Sequence, residues 1–394
     1  MKRCMALILA LMLGIGPARA ELQDVDDRLS SPEQAVSVAD AGVDLPGGSI
    51  HYPQVRGMAD ETLQEAVNQA ILAAGQVEDR LNRAALLGSS PVKLDVTYRL
   101  DADALAGGVV SCAFSSQGAL TDNRSTQAYD TVNLDLQSGE AITLADLFSE
   151  EAAARATIED YLWERVAPEL SAHLQNSELT PLPESFTVDA AGITFYYPIA
   201  QLSTLSDRAG TVQIAWCELR EWLRLGEGTV LRRIGAEDMV TLNGRERIER
   251  AVAEGAVPGL PVRLGGSMRE ATDAYRMLVD PDLYEDGRLF QLEDGAFRTV
   301  YLMTDRLTEG WDNSAIQGIR LDRGSLWGLC VGETVQAAWR QALGEPDATV
   351  TLDAEKADGQ RLPAGESDYY QLGENRLRLH ADESGTLVSL MLLD

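Results

Sequence analysis

The chain has 394 residues, with 33 Lys and Arg against 62 Asp and Glu, for a formal net charge of −29. That balance excludes a nucleic-acid binder, which needs a basic footprint, and argues against docking on an anionic membrane surface. The apolar fraction of 45% fits a chain that buries a core, and the length predicts two domains at about 150 residues apiece.

In chain order, Lys2 and Arg3 form a basic opening, and Met5 to Ile15 is an apolar run too short to span a bilayer. Ala18-Arg19-Ala20 is a small-x-small cleavage signal, so residues 1–20 read as a signal peptide cleaved before Glu21. Retention as an uncleaved anchor is the alternative. Cleavage would remove Lys2, Arg3 and Arg19 and no acid, deepening the negative charge. The expected location is secreted or periplasmic, outside the cytoplasm. No later segment approaches 18 apolar residues, so no membrane span is expected in the mature chain. Residues 21–49 are acidic, lack aromatics and contain a Pro46-Gly47-Gly48 turn signal, and they read as a flexible lead-in.

A first α+β unit is expected over 50–232. Leu63, Val67, Ala70, Ile71 and Ala74 recur at helical spacing across Asp60 to Ala84. Val92–Leu100, Gly108–Phe114 and Thr131–Leu136 read as strands, and Ala145–Leu174 as mainly helix. Phe186–Val188, Ile193–Tyr197 and Val212–Trp216 are further strands. A second unit runs over 239–394 and contains two loose repeats, 259–323 and 324–394. Each sets a helix, Met268–Leu278 or Val335–Leu343, ahead of three or more strands. The fold class is therefore α+β, with antiparallel sheets packed against helices.

No residue set qualifies as catalytic and no cofactor is implied. His51, His173 and His380 lie in separate elements without metal-ligand spacing and read as isolated surface or structural histidines. Gly265-Gly266-Ser267-Met268-Arg269 fails the nucleophile-elbow pattern at its last position. Asp282, Asp286 and Glu293 nearly fit a calcium loop, but Tyr284 stands where a short oxygen ligand belongs, so an acidic turn is the better reading. The mature chain would keep Cys112, Cys217 and Cys330. Cys112 and Cys217 are the more plausible disulfide; three buried thiols are the alternative. Phe195-Tyr196-Tyr197 and Tyr369-Tyr370 offer Tyr196, Tyr369 and Tyr370 as a candidate binding surface, with core packing as the competing role.

Three stretches carry a family resemblance. They are Ile50-His51-Tyr52-Pro53 with Gly57, Asn133-Leu134-Asp135-Leu136 leading to Leu144-Ala145-Asp146-Leu147-Phe148, and Gly192-Ile193-Thr194-Phe195-Tyr196-Tyr197-Pro198 followed by Val212-Gln213-Ile214-Ala215. Over about residues 50–225 the chain resembles the extracytoplasmic domain of unknown function shared by the anti-sigma factor RsiV and the peptidoglycan deacetylase PdaC. It departs from that family where Gln117-Gly118-Ala119-Leu120 lacks a histidine that members often carry. Gly328-Leu329, Val331-Gly332 and Leu343-Gly344 through Pro346-Asp347 are similar to the openings of tandem BLIP/BamE-type modules.

What these resemblances imply is a non-enzymatic binding or sensor protein of the bacterial envelope. Its partner would be a protein, with a cationic lysozyme-like one favoured by charge, or a cell-wall ligand. A peptidoglycan- or glycan-acting enzyme, or its accessory subunit, is the alternative.

Overall fold

The computed structural model describes residues 36–394 apart from 46, 88–92, 120–124, 163–181, 198–210, 243, 258–259, 261, 275, 285–286, 294–299 and 305–313. The signal-peptide segment, residues 21–35 and His173 lie outside the described residues. Helices combine with antiparallel and mixed sheets, so the fold is α+β.

The first sheet has the order β1 (Ser37–Leu45), β2 (Gly48–Arg56), β3 (Lys93–Leu100), β4 (Val109–Ala119) and β5 (Ser125–Asp135). Its β2–β3 pair is parallel and the others antiparallel. β1 corrects the expectation of a flexible lead-in up to Ser49. Ser37 to Leu45 pairs residue for residue with Arg56 to Gly48.

The apolar face of this sheet carries Ile50, Val96, Val110, Cys112 and Phe114 against Val67 and Ile71 of the helix Glu61–Ala74. Asp60 caps that helix, accepting from the Thr62 and Leu63 N–H groups. The helix stops at Ala74, and a second begins at Val77, although the periodicity runs on. A Cβ on Gly75 would lie 2.8 Å from the Phe114 ring, and Gln76 takes a φ of 48°, so the backbone turns where it meets the sheet.

The second sheet is the antiparallel meander β6 (Phe186–Val188), β7 (Gly192–Tyr196) and β8 (Thr211–Ala215). Its buried face joins Phe148, Ala154 and Ile158 in a second core that also holds Trp216 and Cys217. Of the long helix expected over Ala145–Leu174, the described parts are Leu144–Leu147 and Glu151–Tyr161.

The third sheet has eight strands in the order β15-β16-β17-β18-β12-β11-β10-β9. One half is β9 (Arg276–Tyr284), β10 (Gly287–Glu293), β11 (Val300–Thr304) and β12 (Gly318–Leu321), behind the helix Met268–Ala274. A two-stranded hairpin follows, β13 (Ser325–Leu326) with β14 (Leu329–Cys330). The other half is β15 (Ala348–Leu352), β16 (Gly365–Leu372), β17 (Asn375–Asp382) and β18 (Leu387–Leu393), behind the helix Gln336–Leu343. The last strands of the halves, β12 and β18, pair antiparallel at the centre. Each half is a meander, so the sheet has an approximate two-fold arrangement.

The helix expected over Met268–Leu278 ends at Ala274, and Arg276 onward, including Asp280-Pro281-Asp282, forms β9. β9 is an edge strand, and Asp280 to Asp282 fall at the register shift between Arg288 and Phe290 of β10, so Pro281 sits outside the regular ladder. One face of the sheet buries Leu377, Leu379, Leu390, Leu392 and Tyr370 against Trp339, Trp327 and Ile248. Full burial of side chains of this size stabilises by about 1.5–3 kcal/mol each.

Candidate functional site

The first and second sheets are each apolar on one face and polar on the other, and their polar faces line one groove. The alternation of the strands produces it. Along β4, Val110, Cys112 and Phe114 enter the core, while Ser111, Ala113 and Ser115 line the groove. Along β3, Val96 is buried while Thr97 and Arg99 line the groove. From the second sheet come Thr187, Thr194, Tyr196, Thr211 and Gln213, whose strand neighbours Phe186, Ile193, Phe195, Val212 and Ile214 enter the other core. The cavity measures ≈ 300 Å³.

A chain of hydrogen bonds fixes its floor. The Val188 N–H donates to Ser111 Oγ at 2.7 Å, Ser111 Oγ donates to Asn133 Oδ1 at 2.9 Å, and Asn133 Nδ2 donates to the Phe186 carbonyl at 2.8 Å. The two sheets are thereby sewn together through polar side chains that would otherwise carry a desolvation cost. Asp189 is structural: Oδ1 accepts from the Ala191 and Gly192 N–H groups, and Oδ2 accepts from Gln213 Nε2 at 3.0 Å.

The wall is aromatic. The Tyr129 and Tyr196 rings lie 5.2 Å apart, tilted by 55°. Tyr196 shares a hydrogen bond of 3.0 Å with Thr187 Oγ1. Burial pushes the Tyr196 hydroxyl up to about 12, against the opposing effects of Thr187 and the Arg99 cation. It therefore stays neutral at physiological pH, able both to donate and to accept. The Arg99 side chain is exposed and also borders two neighbouring depressions.

One of those depressions contains a hydrogen bond between His51 Nδ1 and Asp40 Oδ2 at 3.0 Å. Beside it, burial and Asp40 together raise the Tyr98 hydroxyl to about 12. The other, a larger cavity of ≈ 870 Å³, has cationic walls engaged in ion pairs, Arg233 with Asp135 at 2.6 Å and Arg247 with Asp238. The smaller groove differs in presenting hydroxyl side chains around an aromatic pair, with Arg99 at its rim.

The three tyrosines singled out by sequence do not share a surface. Tyr196 lines the groove. Tyr370 is fully buried, its hydroxyl donating to the Gly344 carbonyl at 3.2 Å, and so is removed from any binding surface. Tyr369 is on the opposite face of the same strand, 5.4 Å beneath the Arg378 guanidinium. Strand alternation makes that separation unavoidable for adjacent residues. Arg99 and Tyr129 carry no motif, and Tyr129 becomes recognisable only once its ring meets Tyr196.

The expected Cys112–Cys217 disulfide is not present. Cys112 belongs to the first core and Cys217 to the second, and both are free thiols. Of the calcium-loop residues, Asp282 lies on β9 and Glu293 on β10, which are paired antiparallel strands. Asp286 lies outside the described residues. Among the described residues no cluster of His, Cys, Asp or Glu has metal-binding geometry. Among them too, no helix is long and apolar enough to cross a membrane.

No family model matches the chain, and no curated protein matches it. Among solved structures it is similar to a DUF3298 family member from Bacteroides fragilis, at 13% identity and a TM-score of 0.37, over 50% of this chain and 95% of that one. A DUF3298 family protein from Pseudomonas aeruginosa is similar at 12% identity and a TM-score of 0.35, over 49% and 95%. The DUF4309 family protein YjgB from Bacillus subtilis is similar at 10% identity and a TM-score of 0.28, over 38% and 93%.

Proposed function

We propose that this protein is a non-enzymatic binding module of the bacterial envelope, and that it takes a cell-wall glycan fragment in the groove between the first two sheets. The observation that carries this reading is the polar groove walled by the Tyr129–Tyr196 pair, with Arg99 at its rim. Sugars offer C–H faces that pack on aromatic rings and hydroxyls that bond to serine, threonine and glutamine. Ligand sites of this kind combine apolar area with a few convergent polar groups. The resemblance to the RsiV/PdaC-type domain supports an extracytoplasmic setting, as does the signal-peptide-like start.

Calorimetric titration of the full chain with soluble muropeptides tests it. Binding is expected, and Arg99→Ala should weaken it at least tenfold while circular dichroism stays unchanged. No heat with any muropeptide would sink the reading. Release of new reducing ends during the titration would favour the glycan-acting enzyme instead.

The excess of 62 acids over 33 cations supports a second partner class, a cationic protein such as a lysozyme. Complex formation with a basic protein should then weaken steeply with added salt and be indifferent to Arg99→Ala.

A further inference from the structure

Cys217 lies on the 3-10 turn Trp216–Trp222, and Cys330 ends the β13–β14 hairpin, 113 positions later. Both side chains are buried in the same core, and each thiol perturbs the other. Among the described residues, Cys330 is the one residue beyond Val240 in the core that holds Cys217.

The hairpin's turn fixes this placement. Trp327 and Gly328 both have positive φ, 55° and 79°, the pattern of a tight two-residue hairpin. The Gly328 N–H donates to the Met239 carbonyl at 2.8 Å, and a Cβ there would lie 2.1 Å from the Leu242 nitrogen. Gly328 therefore lets the hairpin press close enough to seat Cys330 against Cys217. Arg220 Nη2 donates to Cys330 Sγ at 2.6 Å.

We propose that Cys217 and Cys330 are this protein's disulfide pair, tying the second sheet's core to the segment that leads into the eight-stranded sheet, with Cys112 left as the free thiol. The chemistry at the pair has a direction. The Cys217 thiol and the Arg220 cation hold the Cys330 thiol below its ordinary value against the effect of burial. Cys217, its partner in that interaction, is pushed up.

Cys330 is accordingly the attacking thiolate and the oxidant is a disulfide R–S–S–R. Cys330 sulfur bonds to one sulfur of the oxidant, whose S–S bond breaks, and R–S⁻ leaves with the electron pair. Cys217 gives its proton to that thiolate, and its sulfur attacks Cys330 sulfur and expels the second R–S⁻, which takes up the proton released by Cys330. Two cysteine thiols are oxidised to one disulfide, and the oxidant is reduced to two R–SH. Both thiols are buried in the folded chain, so exchange takes place once the hairpin has met Cys217 and Arg220 but while the surrounding core is still open to the oxidant.

The test is refolding of the chain from Glu21 to Asp394, which lacks Cys4, with oxidised glutathione, alkylation of remaining thiols, tryptic digestion without reduction and mass spectrometry. A link between peptides 209–220 and 324–340 is expected, with Cys112 alkylated on peptide 100–124. Oxidation should also raise the thermal midpoint by about 5 °C or more, given the long loop closed. Cys112→Ser should preserve both the link and the shift, and Cys330→Ser should remove them. A link involving Cys112, or free Cys217 and Cys330 after oxidative refolding of the Cys112→Ser chain, would overturn the proposal.

Discussion

The polar face of the first sheet and the polar face of the eight-stranded sheet are built from similar residues yet end differently. On the first, Ser111, Ser115, Thr97 and Arg99 border an open groove. On the other, Arg320, Ser367, Arg378 and His380 are buried. The cover is the helix Ala354–Gly359 and the turn after it. Gln360 and Arg361 carbonyls accept from Arg320 at 2.8 and 2.9 Å, Gln360 Oε1 accepts from Arg378 Nη2 at 2.7 Å, and the Pro363 carbonyl accepts from His380 Nε2 at 2.8 Å. A polar sheet face is therefore not in itself a site. It becomes a candidate when it borders an open cavity, as the first sheet's polar face does along the groove.

The largest effect lies on the opposite face of the eight-stranded sheet, where one carboxylate is enclosed beneath the helix Gln336–Leu343. Asp368, fully buried, receives Arg340 through both oxygens at 2.8 and 2.7 Å, Trp339 Nε1 at 3.0 Å and Thr349 Oγ1 at 2.7 Å. Burial raises its pKa, but the bonds from Arg340, Thr349 and Trp339 outweigh burial and hold it below the ordinary carboxylate range. Asp368→Ala should cost about 1–3 kcal/mol, because the buried Trp339 Nε1 loses its acceptor and Arg340 loses its bidentate partner. Urea denaturation followed by tryptophan fluorescence measures this, and a loss under about 1 kcal/mol would break the picture of a satisfied polar core.

A smaller effect is expected from His380. Burial lowers its pKa, with Arg378 and Arg320 adding to the fall against the Pro363 carbonyl. Nε2 faces a carbonyl and so carries the hydrogen, leaving Nδ1 to accept from Ser367 at 2.9 Å. The unfolded chain then binds a proton that the folded chain refuses. Its contribution is fully present above the unfolded value of about 6.5 and is lost as pH falls from there toward the folded value. Urea midpoints measured from pH 7.5 to 5 should fall in wild type more than in His380→Gln, and equal slopes would refute the assignment.

The smallest stability effect belongs to the groove. Arg99→Ala and Tyr129→Phe should each change unfolding free energy by about 0.5 kcal/mol or less, since both lie at an open wall. If either destabilised as much as Asp368→Ala, the groove would be part of the structural core, and the contrast between the two polar faces would collapse.

Much of the architecture was legible in local sequence. The alternation of β3, β4, β7 and β8 and the 3.6-residue stripe of Glu61–Ala74 follow from what a half-buried element requires. The pairing of a helix with each half of the eight-stranded sheet also shows in sequence, though Pro281 concealed the strand that contains it. The acid excess and the signal-like N-terminus likewise belong to the sequence alone.

Pairings between distant residues were not legible, because identical thiols or tyrosines differ only in what lies across from them. Composition could not separate Tyr196 from Tyr370, or foresee that Tyr129 would meet Tyr196 across two sheets. Nor could it choose Cys330 over Cys112 as the neighbour of Cys217. The period of each strand decides which side chains are polar-facing. Only the tertiary fold decides which of those faces another segment covers, since that depends on where chain a hundred or more residues away comes to rest.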